Sequence, residues 1–386
     1  MKRNRFTALM IIAAAVAVMM PAVSSGVPTF ARAEQMSCNE CHTIFPQLNE
    51  TGRLYKEGGY SFVQELDLDG SPMEGTFPGS AIINLRMIDK RTSKAKTTAE
   101  LSDKDKQLKT RGLHEVEIFF AGMASPKISY FLEIEAEDEI DFNAEVTMGA
   151  VGFALSPTTA VHAGYGSPFW ADGHNTVNYR HPNRNSWVPK KFMPGNSQFV
   201  SLSTRATDQV QIIGAWHGNA GDVEGHDPKD FSGRIVADVN QDFSIGAFGT
   251  VSKAYNSTTG KSEDKTTTFG ADFQAFRGPA AIHGLFGIQK DDVSDTQETF
   301  VGLEGNIWAT SSGGVIYGPS ANIGSYTAND GEDRFTEAGV FFNIQLAPNA
   351  MTQFGWEGEL SVPDSSDPEF TRFKESRLTW VALIGM

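Results

Sequence analysis

Cysteine is nearly missing from this chain: its 386 residues include two, Cys38 and Cys41. That scarcity excludes a disulfide-stapled scaffold and any cysteine-rich metal module. Long apolar runs are scarce as well. Beyond about Val23, no stretch approaches the roughly 18 consecutive apolar residues that a membrane helix needs. Positive charge is in the minority, with 32 basic residues against 47 acidic ones and a net charge of −15. Such a chain repels phosphate backbones, so nucleic acid is excluded as a partner, whereas cations are attracted. No nucleophile–base or acid–base motif stands out, which argues against a pocket enzyme.

What is present begins with an export signal. Lys2, Arg3 and Arg5 precede an apolar stretch from about Ala8 to Val23, and Ala31-Arg32-Ala33 forms an A-x-A cleavage site. Residues 1–33 are therefore read as a signal peptide. They hold four of the basic residues and no acidic one, so their removal takes the net charge to −19.

The remainder is rich in glycine (38) and phenylalanine (27) and reads as short alternating strands. Ile128, Tyr130, Leu132, Ile134 and Ala136 alternate with Ser129, Phe131, Glu133, Glu135 and Glu137. The same pattern recurs around Arg234–Val239, Val301–Ile307 and Gln353–Leu360. Period-two alternation marks strands with two different faces. Sixteen strands are expected, at 81–90, 113–124, 128–136, 143–155, 159–165, 199–205, 210–217, 231–240, 243–254, 267–276, 280–290, 299–308, 315–326, 334–346, 351–360 and 375–385. Short connections such as Ser125-Pro126-Lys127, Gln241-Asp242 and Arg277-Gly278-Pro279 alternate with long ones such as 91–112, 166–198 and 361–374. Tight turns on one rim and long loops on the other are the pattern of an outer-membrane barrel. The fold class expected is all-β: a transmembrane antiparallel β-barrel of about 16 strands over 81–386, with both termini on the periplasmic side and its outer face in outer-membrane lipid. Trp216, Trp308, Trp356 and Trp380 are candidates for an interfacial aromatic girdle.

Between leader and barrel, residues 34–80 form a short helical segment with Cys38-Asn39-Glu40-Cys41-His42 near its start. C-x-x-C-H is the attachment sequence for c-type haem. Two thioethers one helical turn apart meet the porphyrin edge, and the adjacent histidine binds iron. A redox dithiol, half a zinc site and a structural disulfide are the competing readings. The first lacks a thioredoxin-like βαβ context and the second lacks two further ligands nearby. One covalent haem c is expected, on Cys38, Cys41 and His42. Cys41, Phe45, Leu48, Gly52 and Tyr55 recur at helical spacing, with Gly58-Gly59 as the stop; Pro46 is either tolerated near the start or interrupts the helix there. So small a segment cannot bury a haem alone, so it is expected to dock at the barrel mouth or plug the lumen. Met73 is the candidate sixth ligand, because a thioether raises the haem potential. His162 and His283 are alternatives from lumen-facing registers, while Met36 is too close to the attachment site.

The run Cys38-x-x-Cys41-His42-x-x-Phe45-Pro46-x-Leu48-x-x-x-Gly52-x-x-Tyr55-Lys56-x-x-Gly59-Tyr60, after a leader and before a barrel, resembles the fused monohaem cytochrome–porins of iron-oxidising bacteria. The resemblance is specific over about residues 36–62 and architectural elsewhere. It implies oxidation of extracellular ferrous iron, with electrons passed to a periplasmic cytochrome, an iron(II) oxidase-type electron transfer. It carries over Cys38 and Cys41 as thioether sites and His42 as proximal ligand. Two other readings stay open: a redox conduit for another extracellular donor or acceptor, and a passive diffusion porin with a structural haem.

Glu115, Glu117, Glu133, Glu135, Glu304, Glu357 and Glu359 are expected to face the lumen. Glu137, Asp138, Glu139 and Asp141 add carboxylates at the outer rim, a chemistry suited to divalent cations. The loop 166–198, with Trp170, His174, Tyr179, His181 and Trp187, either folds inward or caps the mouth; the sequence does not choose.

Overall fold

The computed structural model describes residues 30–31, 34, 36–44, 47–60, 79–95, 107–125, 127–174, 191–220, 222–226, 228–256, 261–292, 295–311, 314–328, 333–347, 350–361 and 373–385. The wall consists of β1 (Gly79–Ala95), β2 (Gln107–Ser125), β3 (Ile128–Glu137), β4 (Glu145–Ser156), β5 (Thr159–Gly166), β6 (Ser197–Thr207), β7 (Val210–His217) and β8 (Asp230–Asn240). It continues with β9 (Phe243–Asn256), β10 (Lys261–Arg277), β11 (Ala280–Asp291), β12 (Thr296–Ile307), β13 (Ile316–Ala328), β14 (Asp333–Ala347), β15 (Ala350–Ser361) and β16 (Phe373–Gly385). Ala309–Thr310 extends β12 past Trp308 and pairs with β13. Every strand pairs antiparallel with its sequence neighbour, and β16 closes on β1 through pairs such as Val381↔Arg86 and Ile384↔Ile83. Closure leaves no open sheet edge, the condition for crossing a bilayer with strands.

The alternation divides the wall as the sequence predicts. Val200, Leu202, Ile212, Trp216, Phe231, Ile235, Phe269, Val301, Ile307 and Phe354 are exposed on the outside. Between them, Ser201, Ser203, Gln211, Arg234, His283, Glu304 and Asn343 are buried on the inside. Apolar outside and polar inside is the reverse of a soluble protein and suits lipid around a wet lumen. On β7 and β8 the outward positions include Gly214 and Gly233, which face each other across the ladder.

Two expectations need correcting. The strands run further toward the long-loop rim than the alternation indicates: β1 reaches Ala95, β2 starts at Gln107, and β9 and β10 leave 257–260 between them. Those extensions are mostly polar in sequence (Arg91, Thr92, Ser93 and Lys94 on β1; Gln107, Lys109, Thr110 and Arg111 on β2), so the period-two signal stops while backbone pairing continues. Trp308, expected in a lipid-facing girdle, is buried where β12 breaks, whereas Trp216 and Trp356 are exposed outward.

Candidate functional site

Among the described residues of the N-terminal segment there are two short helices. Cys38–Cys41 is α1, and Glu50–Glu57 is α2. Of the two courses open to the helix at Pro46, the interrupted one is taken: no single run joins Cys41 to Tyr55. After Cys41 the chain turns extended and pairs His42–Ile44 with Gln47–Leu48. The β-branched Thr43 and Ile44 and the missing N–H of Pro46 disfavour helix there. Asn49 restarts it: its side-chain oxygen accepts from the Gly52 N–H at 3.0 Å, and its amide donates to the Glu40 carbonyl at 2.9 Å. Gly58 caps the far end, as expected, and Gly59 follows at φ +76°, a conformation glycine takes without strain.

α2 lies directly on α1. A side chain on Gly52 would overlap the Cys41 carbonyl oxygen, so this contact requires glycine. The thioether candidates Cys38 and Cys41 therefore sit on one turn of helix, with His42 next and both Cys41 and His42 half-buried. Met73 lies outside the described residues.

One face of the segment is aromatic. The Tyr55 and Tyr60 ring centroids are 6.2 Å apart, and Tyr60 stacks toward Phe131 of β3 at 6.4 Å. Phe131 belongs to an apolar patch on the inner wall: Ile82 of β1, Phe119 and Ala121 of β2, Phe199 of β6, Met351 of β15, and Val381 and Leu383 of β16. The Tyr55 hydroxyl donates to Glu34. Burial, then Glu34, drives the phenol well above the usual tyrosine range. Burial likewise raises the Glu34 carboxyl.

The opposite face is ionic. Arg205 of β6 donates from Nε to Glu57 Oε2 at 2.8 Å and from Nη2 to Asp238 Oδ2 of β8 at 3.2 Å. Arg53 Nη2 lies 3.8 Å from Asp238 Oδ1. Lys56 Nζ donates to the Asp172 carbonyl at 2.8 Å. Asp172 belongs to the stretch after β5, which answers the question left open by the sequence: its described part folds inward. Phe169, Trp170, Ala171 and Asp172 are buried, and Gln211 of β7 donates to the Ala171 carbonyl at 3.0 Å. His174 Nε2 is 2.9 Å from Asp238 Oδ1, with Glu57 and Asp172 within 4 Å of its Nδ1. Arg234 of β8 joins Asp172 at 3.2 Å to Asp272 of β10 at 3.0 Å. Burial pushes Glu57 up, only partly offset by His174 and Arg205. For His174, burial alone lowers the imidazole, but Asp172, Asp238 and Glu57 together raise it. Asp172 is held below the usual carboxylate range because Arg234 and His174 outweigh its burial. The far end of the same connection is also inside: Phe192 stacks on Phe300 of β12 at 4.2 Å, and Lys191 reaches Glu298 at 3.1 Å. Tyr179, His181 and Trp187 lie outside the described residues.

The lumen carboxylates are where the registers put them. Glu115, Glu117, Glu133, Glu304 and Glu357 are buried on the inner face, and Glu135 and Glu359 are half-exposed in the same rows. Like charges face each other at Glu115↔Glu137 and Glu117↔Glu135. At the long-loop rim, Asp138 and Glu139 are each 2.9 Å from Arg111, and His114 is 2.7 Å from Asp138. These carboxylates are engaged internally, and among the described residues no three acidic, histidine or cysteine side chains converge to hold a metal ion. His162 and His283 are both buried on the inner face. His162 lies beneath Gly59, where an added Cβ would be 3.7 Å from its Nε2.

The segment's residues fit a covalently held haem. A cysteine pair on one helical turn, a histidine beside it, a glycine contact that fixes the turn and an aromatic, apolar flank form a suitable donor set and surrounding. The ionic latch was invisible in the sequence, since Glu57 and Arg205 are 148 positions apart.

No known protein family matches the sequence, and no curated protein is recognisably similar. Solved structures are. The outer-membrane channel DcaP of Acinetobacter baumannii aligns with a TM-score of 0.55 at 10% identity, over 80% of this chain and 97% of that one. OmpF of Salmonella typhi in complex with daunomycin aligns at 0.53 and 11% identity, over 80% and 97%. OmpT of Vibrio cholerae aligns at 0.52 and 9% identity, over 83% and 100%. At such identities the likeness is one of fold: a closed, 16-strand antiparallel barrel resembling outer-membrane porins.

Proposed function

We propose that this chain is an outer-membrane barrel of porin architecture that carries one haem c on its N-terminal segment and passes electrons across the barrel. The observation that carries the redox part is Cys38–Cys41 on a single helical turn, followed by His42, on a segment held against the inner wall. Cys38 and Cys41 are the thioether sites and His42 the proximal iron ligand, with Met73 the candidate for the opposite side. The bound haem supplies a reversible one-electron couple. The chain's part is to exclude water from one edge with Tyr55, Tyr60 and Phe131 and to hold the segment at a fixed place by the Glu57–Arg205–Asp238 latch. Ferrous iron outside the cell is the proposed donor and a periplasmic cytochrome the acceptor. The short-turn rim and both termini then face the periplasm.

The second reading is a passive diffusion porin, and the structural neighbours favour it: they are porins and channels, and none brings support for haem or iron chemistry. Against a wide pore stand the described ends of the 167–196 connection and α2, all inside the barrel.

Expression of the full chain in cells competent for cytochrome maturation separates these readings. Covalent haem by peroxidase-stained gel, lost in Cys38→Ala and Cys41→Ala, with reduction by ferrous iron on a turnover timescale, supports the redox function. A haem-free preparation, or porin-like conductance in planar bilayers with a haem that ferrous iron cannot reduce, overturns it in favour of the diffusion channel. A haem reduced by other donors and never by iron keeps the conduit and replaces its substrate.

A further inference from the structure

An apolar patch has no ordinary place on the inner wall of a porin-type barrel, where a polar, water-filled lumen is the rule. Here Ile82, Phe119, Phe131, Met351, Val381 and Leu383 form one beside the segment that carries Cys41. Tyr60 packs against the patch with φ at +63°, an unfavourable backbone for a bulky residue, held by its N–H donating to the Tyr55 carbonyl at 2.8 Å. The exposed side of the Tyr60 ring is covered by another ring. Phe30 stacks on it at a centroid distance of 4.7 Å with the planes 9° apart, and meets Tyr55 edge-on at 5.4 Å. Phe30 also packs against the wall patch.

Phe30 lies in the leader, three residues ahead of the expected cleavage point after Ala33. Cleavage carries it away. What remains is a planar slot with the Tyr60 face on one side, the Tyr55 edge at one end and the apolar wall behind, next to Cys41. We infer that this slot, filled by Phe30 in the uncleaved chain, is the seat of a porphyrin plane in the mature protein. The inference rests on the haem reading above and adds what that reading leaves open: which surface takes the ring and which part of the barrel completes the pocket. A flat apolar ring is the chemistry that matches it. A polar solute leaves the patch unsolvated, and an acyl chain does not use a stacking face. The strained Tyr60 backbone is then the cost of presenting that face.

The test uses the full chain, matured in cells that attach haem. The expected results are an intact mass starting at Glu34, a Tyr60→Phe variant with the parent's visible spectrum, and a Tyr60→Leu variant that keeps its covalent haem but shows a displaced Soret band and a lower midpoint potential. Water reaching the ring favours the more highly charged oxidised state, which fixes that sign. Val381→Thr approaches the slot from the wall and is expected to lower the potential as well, so the inference survives a failure of Tyr60→Leu to fold. Potentials and spectra unchanged in both variants overturn the slot while leaving the redox function standing. A mature chain that retains Phe30 overturns it too. A parent protein without haem removes the underlying function itself.

Discussion

The two sides of the lumen that receive the N-terminal segment differ in kind. On β16 and β1–β3 the wall offers Ile82, Phe119, Phe131, Val381 and Leu383; on β6–β8 it offers Arg205, Arg234 and Asp238. α2 answers both, with Tyr55 on one face and Arg53 and Glu57 a helical turn apart on the other. Apolar contact supplies non-directional attraction, roughly 25 cal/mol per Å² removed from water. Buried ion pairs supply little net attraction but penalise every misplacement, because a charge shifted from its partner stays desolvated. The comparison teaches a division of labour: the tyrosine side holds the segment, and the ionic side fixes where.

That division can be broken from its strongest point downward. Glu57→Ala removes the Nε partner of Arg205 and leaves Asp238 to serve both Arg205 and Arg53. It is expected to cost about 3 kcal/mol of docking, the low end for one partner removed from a buried pair because Asp238 still compensates. Protease access to α2 in the folded barrel measures it. Adding Arg205→Ala should restore part of the loss, and strictly additive effects in that cycle would show that the pair is not coupled.

Next in size, Gly52→Val forces α2 off the Cys41 carbonyl, an overpacking effect of about 1–3 kcal/mol. It should loosen α1 and lower the yield of covalent haem, with the barrel's heat-modifiable gel mobility unchanged. Full haem yield would mean that the two helices are not a rigid pair.

A smaller effect comes from pH. Both Glu57 and His174 have folded pKa values raised above their ordinary 4.5 and 6.5, so each favours the docked state on the acid side and loses that contribution as pH rises through its folded value. Asp172 acts in the opposite sense: its folded value is lowered, so its contribution is present above 3.8 and fades as pH falls toward that lowered value. Docking is therefore expected to be firmest in mildly acidic solution and to weaken as pH climbs past about 6.5. Hydrogen exchange of the 53–57 amides, corrected for intrinsic rates, reads this out. His174→Gln should flatten the upper limb, and an unchanged limb would take His174 out of the latch.

The smallest effect serves as a control. Gly214→Ala adds a methyl to open space on the lipid face and should change barrel stability by no more than about 0.5 kcal/mol. A larger effect would reveal an unrecognised contact on that face.

Much of the barrel was legible in the sequence because one rule governs it. Glu133 and Glu304 were placed inside by parity alone, and both are. Parity stopped short where the strands turn polar, as over 91–95 and 107–112, and misled where a strand breaks, as at Trp308. In the N-terminal segment, spacing alone exposed the cysteine–histidine motif. For the helix that follows it the sequence left two courses open, because the apolar period from Cys41 to Tyr55 runs through Thr43, Ile44 and Pro46, whose backbone preferences oppose it and decide for the break. The inward course of the connection after β5 depends on Asp172 and His174 meeting Arg234 and Asp238, partners that only closure of the barrel brings near. No local pattern announces such a meeting.

The glycine contact between the two helices has a mechanical consequence. With no side chain between the backbone of Gly52 and the carbonyl of Cys41, the thiol-bearing turn has no hinge of its own. Whatever is attached to Cys41 inherits the orientation of a helix clamped to the wall, so its angle to the barrel axis is set by the sheet and not by the tether.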